Sequence, residues 1–203
     1  SVADMMIRTQ SDRMTGKNGS WHIELDGISQ ETALKIAERD DVVSIGAVTI
    51  FNPDGELPYR MDGKRVVLYG IDESYLTMNS TGAAEGRFPQ GMGEIMLSSN
   101  AARVLQVAVG DTVTLRTPSG DWDFTVSGLG GVEESYYSGQ YSLMDAYLPR
   151  TAFAALMEQN NVHNLQTSYY VQFTSASKAA KAIPELTAQH NLPENAVSEN
   201  TGV

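Results

Sequence analysis

With 203 residues, 41% apolar and 19% charged, the chain can bury about 70% of its unfolded surface and needs no disulfide or metal to hold a core. Fourteen Lys and Arg against twenty-five Asp and Glu give a formal charge of −11, which repels phosphate backbones and argues against nucleic acid as a partner. Cysteine is absent, which removes disulfides, thiolate metal sites and cysteine nucleophiles together.

No apolar run reaches the roughly 18 residues that a membrane helix needs, and SVADMMIRTQSDRM has no signal-peptide core, so the stretch is expected to be soluble. Residues 1–19 read as a polar lead-in, with Met5, Met6 and Thr9 along one side. This is either a short helical stalk or a frayed terminus, and Gly16, Asn18 and Gly19 end it. Trp21, Ile23 and Leu25 then alternate with His22, Glu24 and Asp26, which predicts a strand with the apolar set inside and the polar set in water. Ser29 is a credible N-cap for a helix to about Arg39, with Ala33, Leu34 and Ala37 facing inward. Val42 to Ile50 is apolar at nearly every position, as expected of a strand covered on both faces. The chain therefore opens β-α-β.

Asn52-Pro53-Asp54-Gly55 predicts a turn and Arg65 to Ile71 a further strand, with loop and a short helical turn over Asp72 to Gly86. Gly86 and Pro89 then deliver a short strand, Glu94 to Leu97, into a helix that Ser98 or Ser99 can cap. Thr112 to Leu115 and Trp122 to Val126, joined through Pro118-Ser119-Gly120-Asp121, predict a hairpin. Val113 and Leu115 share its inner face with Trp122, Phe124 and Val126. A glycine-rich loop spans Gly128 to Ser142. Ala146 to Leu148 ends a strand, and Pro149 to Glu158 is a short helix using Phe153, Leu156 and Met157. A closing β-α-β follows: a strand through Tyr169, Val171 and Phe173, a helix from about Ser177 to His190, and the apolar pair Ala196-Val197.

Residues with reactive chemistry do not assemble into a motif. His22, His163 and His190 lie far apart with no ligand spacing. Ser175 to Lys178 fits S-x-x-K, but it lacks the companion motifs of an acyl-enzyme and suits a helix cap equally well. Gly91-x-Gly93 and Gly128-x-Gly130 are not followed by Lys-Ser/Thr, so a phosphate loop is not supported. Asp121 and Asp123 lack the other ligands of a calcium loop. No catalytic, cofactor-binding or metal residue is therefore assigned. The loop carrying Tyr136, Tyr137 and Tyr141 beside Glu133 and Glu134 is the one place with the composition of a recognition surface, because tyrosine gives contact area at low entropic cost. Its alternative role is packing over a sheet edge.

The ordered segments GRFPQGMGEIMLSSNAARVLQVAVGDTVTL, TGKNGSWHIELDGIS with VVSIGAV, WDFTVSGLGG, AYLPRTAFAAL and YYVQFTSASKAAKAIPELTAQ resemble the extracytoplasmic domain of MacB/FtsX-type ABC-transporter permeases, which sits between the first and second membrane helices. The resemblance covers most of Ser20 to Gln189. It implies an α+β fold of two lobes: a porter-like β-α-β lobe formed by both chain ends (20–81 and 148–203), and an inserted β-rich lobe with a hairpin (82–147). It also implies that both termini face a membrane and that the domain is noncatalytic and uses no cofactor. The implied partners are an ATP-binding cassette subunit or domain reached through the membrane part, a second permease copy or a partner permease, and an extracytoplasmic accessory protein. A free-standing solute-binding module or a secreted hydrolase are the alternatives, distinguished by a deep pocket or by a cleft that gathers catalytic groups.

Overall fold

A computed structural model describes residues 19–79, 82–131 and 143–202. The expected stalk, apart from Gly19, and the tyrosine-bearing part of the expected loop, 132–142, fall outside those residues; Gly128–Gly130, expected as loop, are strand.

The chain begins β1 (Ile23–Asp26), α1 (Gln30–Ala37) and β2 (Val42–Phe51). Ser29 starts the helix as expected: its backbone is extended and its Oγ accepts the Thr32 N–H at 3.1 Å, which satisfies one first-turn donor. Ala33 and Ile36 turn onto the sheet, but Leu34, expected inside, is 60% exposed. At about 100° per residue, Leu34 lies a quarter-turn or more from the stripe that Ala33 and Ile36 share. The chain ends on the mirror of this unit: β10 (Thr167–Phe173), α5 (Ala176–His190) and β11 (Val197–Glu199). These four strands pair antiparallel in the order β11-β1-β10-β2, the split β-α-β-β-α-β arrangement. Ile23, Leu25, Val171 and Phe173 meet Ile36 of α1 and Ala182 and Leu186 of α5 in one core.

The opposite face of this sheet is also covered. The short helical turn expected after Asp72 is α2 (Glu73–Asn79), which lies on the sheet, and where loop was expected beyond it β5 (Ala83–Gly86) pairs further along. Gly46 permits the close approach, since a Cβ there would sit 2.4 Å from the Tyr75 backbone nitrogen. Two expectations for the first strand change as a result. Trp21 does not share a face with Ile23 and Leu25; it packs on the α2 side, edge-on to Tyr170 at 4.8 Å. Glu24 is 7% exposed rather than solvated, and hydrogen-bonds with Tyr170. Covering both faces overrides the polar–apolar alternation, because Glu24 finds a phenol in place of water.

Between β2 and β10 the chain builds a ring. Its strands are β3 (Arg60–Met61), β4 (Lys64–Ile71), β6 (Glu94–Leu97), β7 (Thr112–Thr117), β8 (Gly120–Gly130) and β9 (Met144–Pro149). Antiparallel pairs β4–β3, β3–β7, β7–β8 and β6–β9 and parallel pairs β8–β6 and β9–β4 close the circuit. Asp62 and Gly63, at φ 52° and 73°, make the two-residue turn between β3 and β4 that right-handed strand twist favours. The β7–β8 register is the expected one, with Val113 opposite Phe124 and Leu115 opposite Trp122. α3 (Ser99–Leu105), capped by Ser98 Oγ on the Ala101 N–H, packs against the ring, and α4 (Arg150–Gln159) adds Phe153, Leu156 and Met157 to its core. β4 also pairs with β2 over Val48–Phe51, so hydrogen bonding runs unbroken from β11 to the ring. With five helices and eleven strands among the described residues, the fold is α+β.

Candidate functional site

The described chain ends lie side by side, and specific residues hold them there. β11 runs antiparallel to β1 with Glu199 opposite Ile23, so the start of one strand meets the end of the other. Asn200 closes the edge: its side-chain Nδ2 donates to the Gly19 carbonyl at 3.1 Å and the Trp21 carbonyl at 2.8 Å, and its own N–H donates to His22 O at 2.9 Å. Ser20 N–H donates to Met78 O of α2 at 2.7 Å, and Trp21 is 1% exposed beneath them. Asn200 carries no sequence signal that would single it out; its role exists only once β11 is paired.

His22 belongs to this edge rather than to a metal site. Its Nδ1 accepts the Phe173 N–H at 2.9 Å, which requires the neutral ring, and burial lowers its pKa from the ordinary 6.5. A folded pKa below the unfolded value means that the unfolded chain binds the proton more readily. The stabilisation is present in full above pH 6.5 and is lost as pH falls through the lowered pKa. The chain is therefore expected to lose stability through His22 as pH falls below 6.5. His22→Asn, whose side-chain oxygen can accept the same N–H without titrating, should flatten that part of the pH dependence of the thermal midpoint. An unchanged slope would show that His22 does not titrate with folding.

The other residues singled out in the sequence are dispersed. His163 bonds Asn161 Oδ1 at 2.8 Å on the surface, and His190 is in the last turn of α5. Ser175 is the α5 N-cap, its Oγ accepting the Lys178 N–H at 3.1 Å, so S-x-x-K here is a helix start. Asp121 faces Arg116 at 3.4 Å and Asp123 accepts from Thr114 Oγ1 at 2.6 Å, both on the outside of the ring. Among the described residues no three His, Asp or Glu side chains gather as a metal site. Tyr136, Tyr137 and Tyr141 lie outside the described residues, as do Glu133 and Glu134.

The segment Gly86 to Leu115 gains a part that sequence reading missed. Arg87 donates from Nη1 and Nη2 to the two carboxylate oxygens of Glu94, and Glu94 Oε1 also accepts the Gln90 N–H at 2.8 Å, which staples the Gly86–Gly93 turn to the first residue of β6. The R-x-x-x-x-x-x-E spacing was the available signal. Gly86 sits at φ 68° with its Cα so close to β8 that a Cβ would lie 2.2 Å from Ser127 O. Asp111 closes the next turn by accepting the Ala108 N–H at 2.8 Å.

At the junction of sheet and ring, Arg150 at the start of α4 donates from Nη1 to Thr49 Oγ1 at 2.6 Å, and Thr49 Oγ1 meets Thr167 Oγ1 at 2.6 Å. One polar chain thus ties β2, β10 and α4 where the two groups of strands meet.

The solved periplasmic region of MacB from Actinobacillus actinomycetemcomitans superposes with a TM-score of 0.60 at 14% identity, over 89% of this chain and 87% of that one. A permease-protein domain from Porphyromonas gingivalis superposes at 0.53 and 16% identity, over 90% and 89% respectively. These likenesses concern the fold. No curated protein matches the sequence. No helix among the described residues is long and apolar enough to cross a membrane. The sequence matches the MacB-like periplasmic core domain family over residues 1–189, and the chain belongs to that family, the extracytoplasmic domain of ABC-transporter permeases.

Proposed function

We propose that this domain is a noncatalytic coupling element, which carries motion driven by ATP in the cytoplasm to a substrate or accessory protein on the outer side of the membrane. The observation that carries this is the closed edge at Gly19, Trp21, His22 and Asn200: the two ends of the described chain lie at one place, and unbroken strand pairing leads from there to the ring. A displacement at that edge is transmitted by hydrogen bonds and packed side chains rather than absorbed in a loop. The working division is a membrane-proximal porter-like lobe of 20–81 and 148–203 and an outer lobe of 82–147, with β3 and β4 joining them. The ATP-binding cassette partner acts through the membrane part, a second permease copy stands alongside, and an accessory protein meets the outer lobe. The tyrosine loop, with Tyr136, Tyr137 and Tyr141, is the proposed contact for that accessory protein.

Flexible spacers test the coupling. In the full-length permease, a Gly/Ser segment inserted before Gly19 and another after Gly202 should leave ATP hydrolysis intact and abolish the ATP-dependent change in hydrogen exchange over the ring. Retention of that change with both spacers in place would refute transmission through the chain ends.

A further inference from the structure

Beside α1 the sheet holds a depression of about 220 Å³, lined by Leu34, Ile45, Ala47, Asp72, Arg150 and Tyr169 among others. Three polar groups from distant parts of the chain converge on it without binding one another. Tyr169 is 7% exposed as a residue, and its hydroxyl, which has no hydrogen-bond partner among the described residues and is not one of the buried unpaired atoms, is open to the depression. Asp72 spends Oδ2 on the Ala47 N–H at 2.9 Å and leaves Oδ1 unused. Arg150 is anchored through Nη1 to Thr49 Oγ1 and Gly70 O, has no carboxylate within 4.0 Å among the described residues, and keeps Nε and Nη2 to offer. Burial raises the Tyr169 pKa, the Arg150 charge opposes that and the Asp72 charge adds to it, so all three groups lie within electrostatic range.

An unused cation, an unused anion and a hydroxyl open to the depression, in an aliphatic frame, complement a solute that carries both charges and an apolar body. We propose that the depression binds an α-amino acid with an aliphatic side chain. The carboxylate receives Nε and Nη2 of Arg150 as a fork, the ammonium donates to Asp72 Oδ1, the Tyr169 hydroxyl bonds the head group, and the side chain lies on Leu34 and Ile45. The volume is below the roughly 300–1,000 Å³ of drug-sized sites and matches a solute this small. The unexpected 60% exposure of Leu34 acquires a reason, since it is a wall of this site. The proposal stands independently of the coupling role.

Amide NMR titration of the 203-residue chain with L-leucine, 4-methylpentanoate and 3-methylbutylamine tests it. Leucine should give saturable shifts at Leu34, Ala47 and Tyr169, and each singly charged analogue should bind at least about tenfold more weakly. Arg150→Gln should weaken leucine by about tenfold or more, and Arg150→Lys by less. Tyr169→Phe removes one oxygen and keeps the packing, so it should weaken leucine several-fold in a chain whose remaining amide shifts stay in place. The absence of saturable shifts, equal binding of either analogue, or undiminished leucine binding by a folded Tyr169→Phe variant would overturn the proposal.

Discussion

Phe153→Ala is expected to destabilise the chain by about 3–5 kcal/mol, because it empties a buried aromatic from the point where α4 meets the ring core. The ring of Phe153 lies directly over Gly70 of β4, where a Cβ would come within 2.4 Å of Phe153 Cγ. Gly70→Ala alone should therefore cost about 1–3 kcal/mol by overpacking. In the Phe153→Ala background the two closest contacts, Cγ and Cδ1, are gone and only the retained Cβ at 2.7 Å has to give way, so the double variant should be more stable than the sum of the singles predicts by at least about 1 kcal/mol. Urea unfolding of the four chains measures this. Strict additivity would mean that the two residues are not in contact.

Gly46→Ala should be comparably damaging and, unlike Gly70→Ala, beyond rescue by trimming a neighbour. Its Cβ would stand 2.4 Å from the backbone nitrogen of Tyr75 and 2.7 Å from its Cα, and a helix backbone cannot swing aside as a side chain can. α2 would have to lift from β2, straining the Ser74 Oγ bond to Ile45 O at 2.8 Å and the Ala47–Asp72 pair, and exposing Tyr75 and Leu76. The expected loss is about 3 kcal/mol or more in urea unfolding, with Tyr75→Ala giving no recovery. Gly27→Ala is the control: no atom lies within 4 Å of its Cβ position, and only its φ of 73° opposes substitution, at about 1 kcal/mol. A Gly46→Ala chain as stable as the control would contradict the docking of α2.

What the sequence discloses is local. Ser29, Ser98 and Ser175 read as caps because a short side-chain oxygen before an apolar run has one common use, and the 112–126 hairpin reads correctly because its alternation and turn agree. The closing of the ring is not legible: β4–β9 and β6–β8 are parallel pairs between distant segments, with no turn chemistry to announce them. Trp21 and Glu24 were misplaced for a related reason, since alternation assumes one wet face and α2 removes it. The depression beside α1 is the extreme case. Asp72, Arg150 and Tyr169 come from three separate segments, and each alone reads as a loop carboxylate, a helix start and a strand aromatic.

Double electron–electron resonance in the full-length permease tests the coupling account most directly. Spin labels at Lys35→Cys on α1 and Asp123→Cys on β8 occupy exposed positions, and the cysteine-free sequence of this domain makes labelling within it selective. The account predicts that the Lys35–Asp123 distance changes by less than about 2 Å on ATP binding, while the distance from Asp123 to a label in the membrane part shifts, as for a domain moved in one piece. A change between Lys35 and Asp123 with a fixed distance to the membrane part would contradict it.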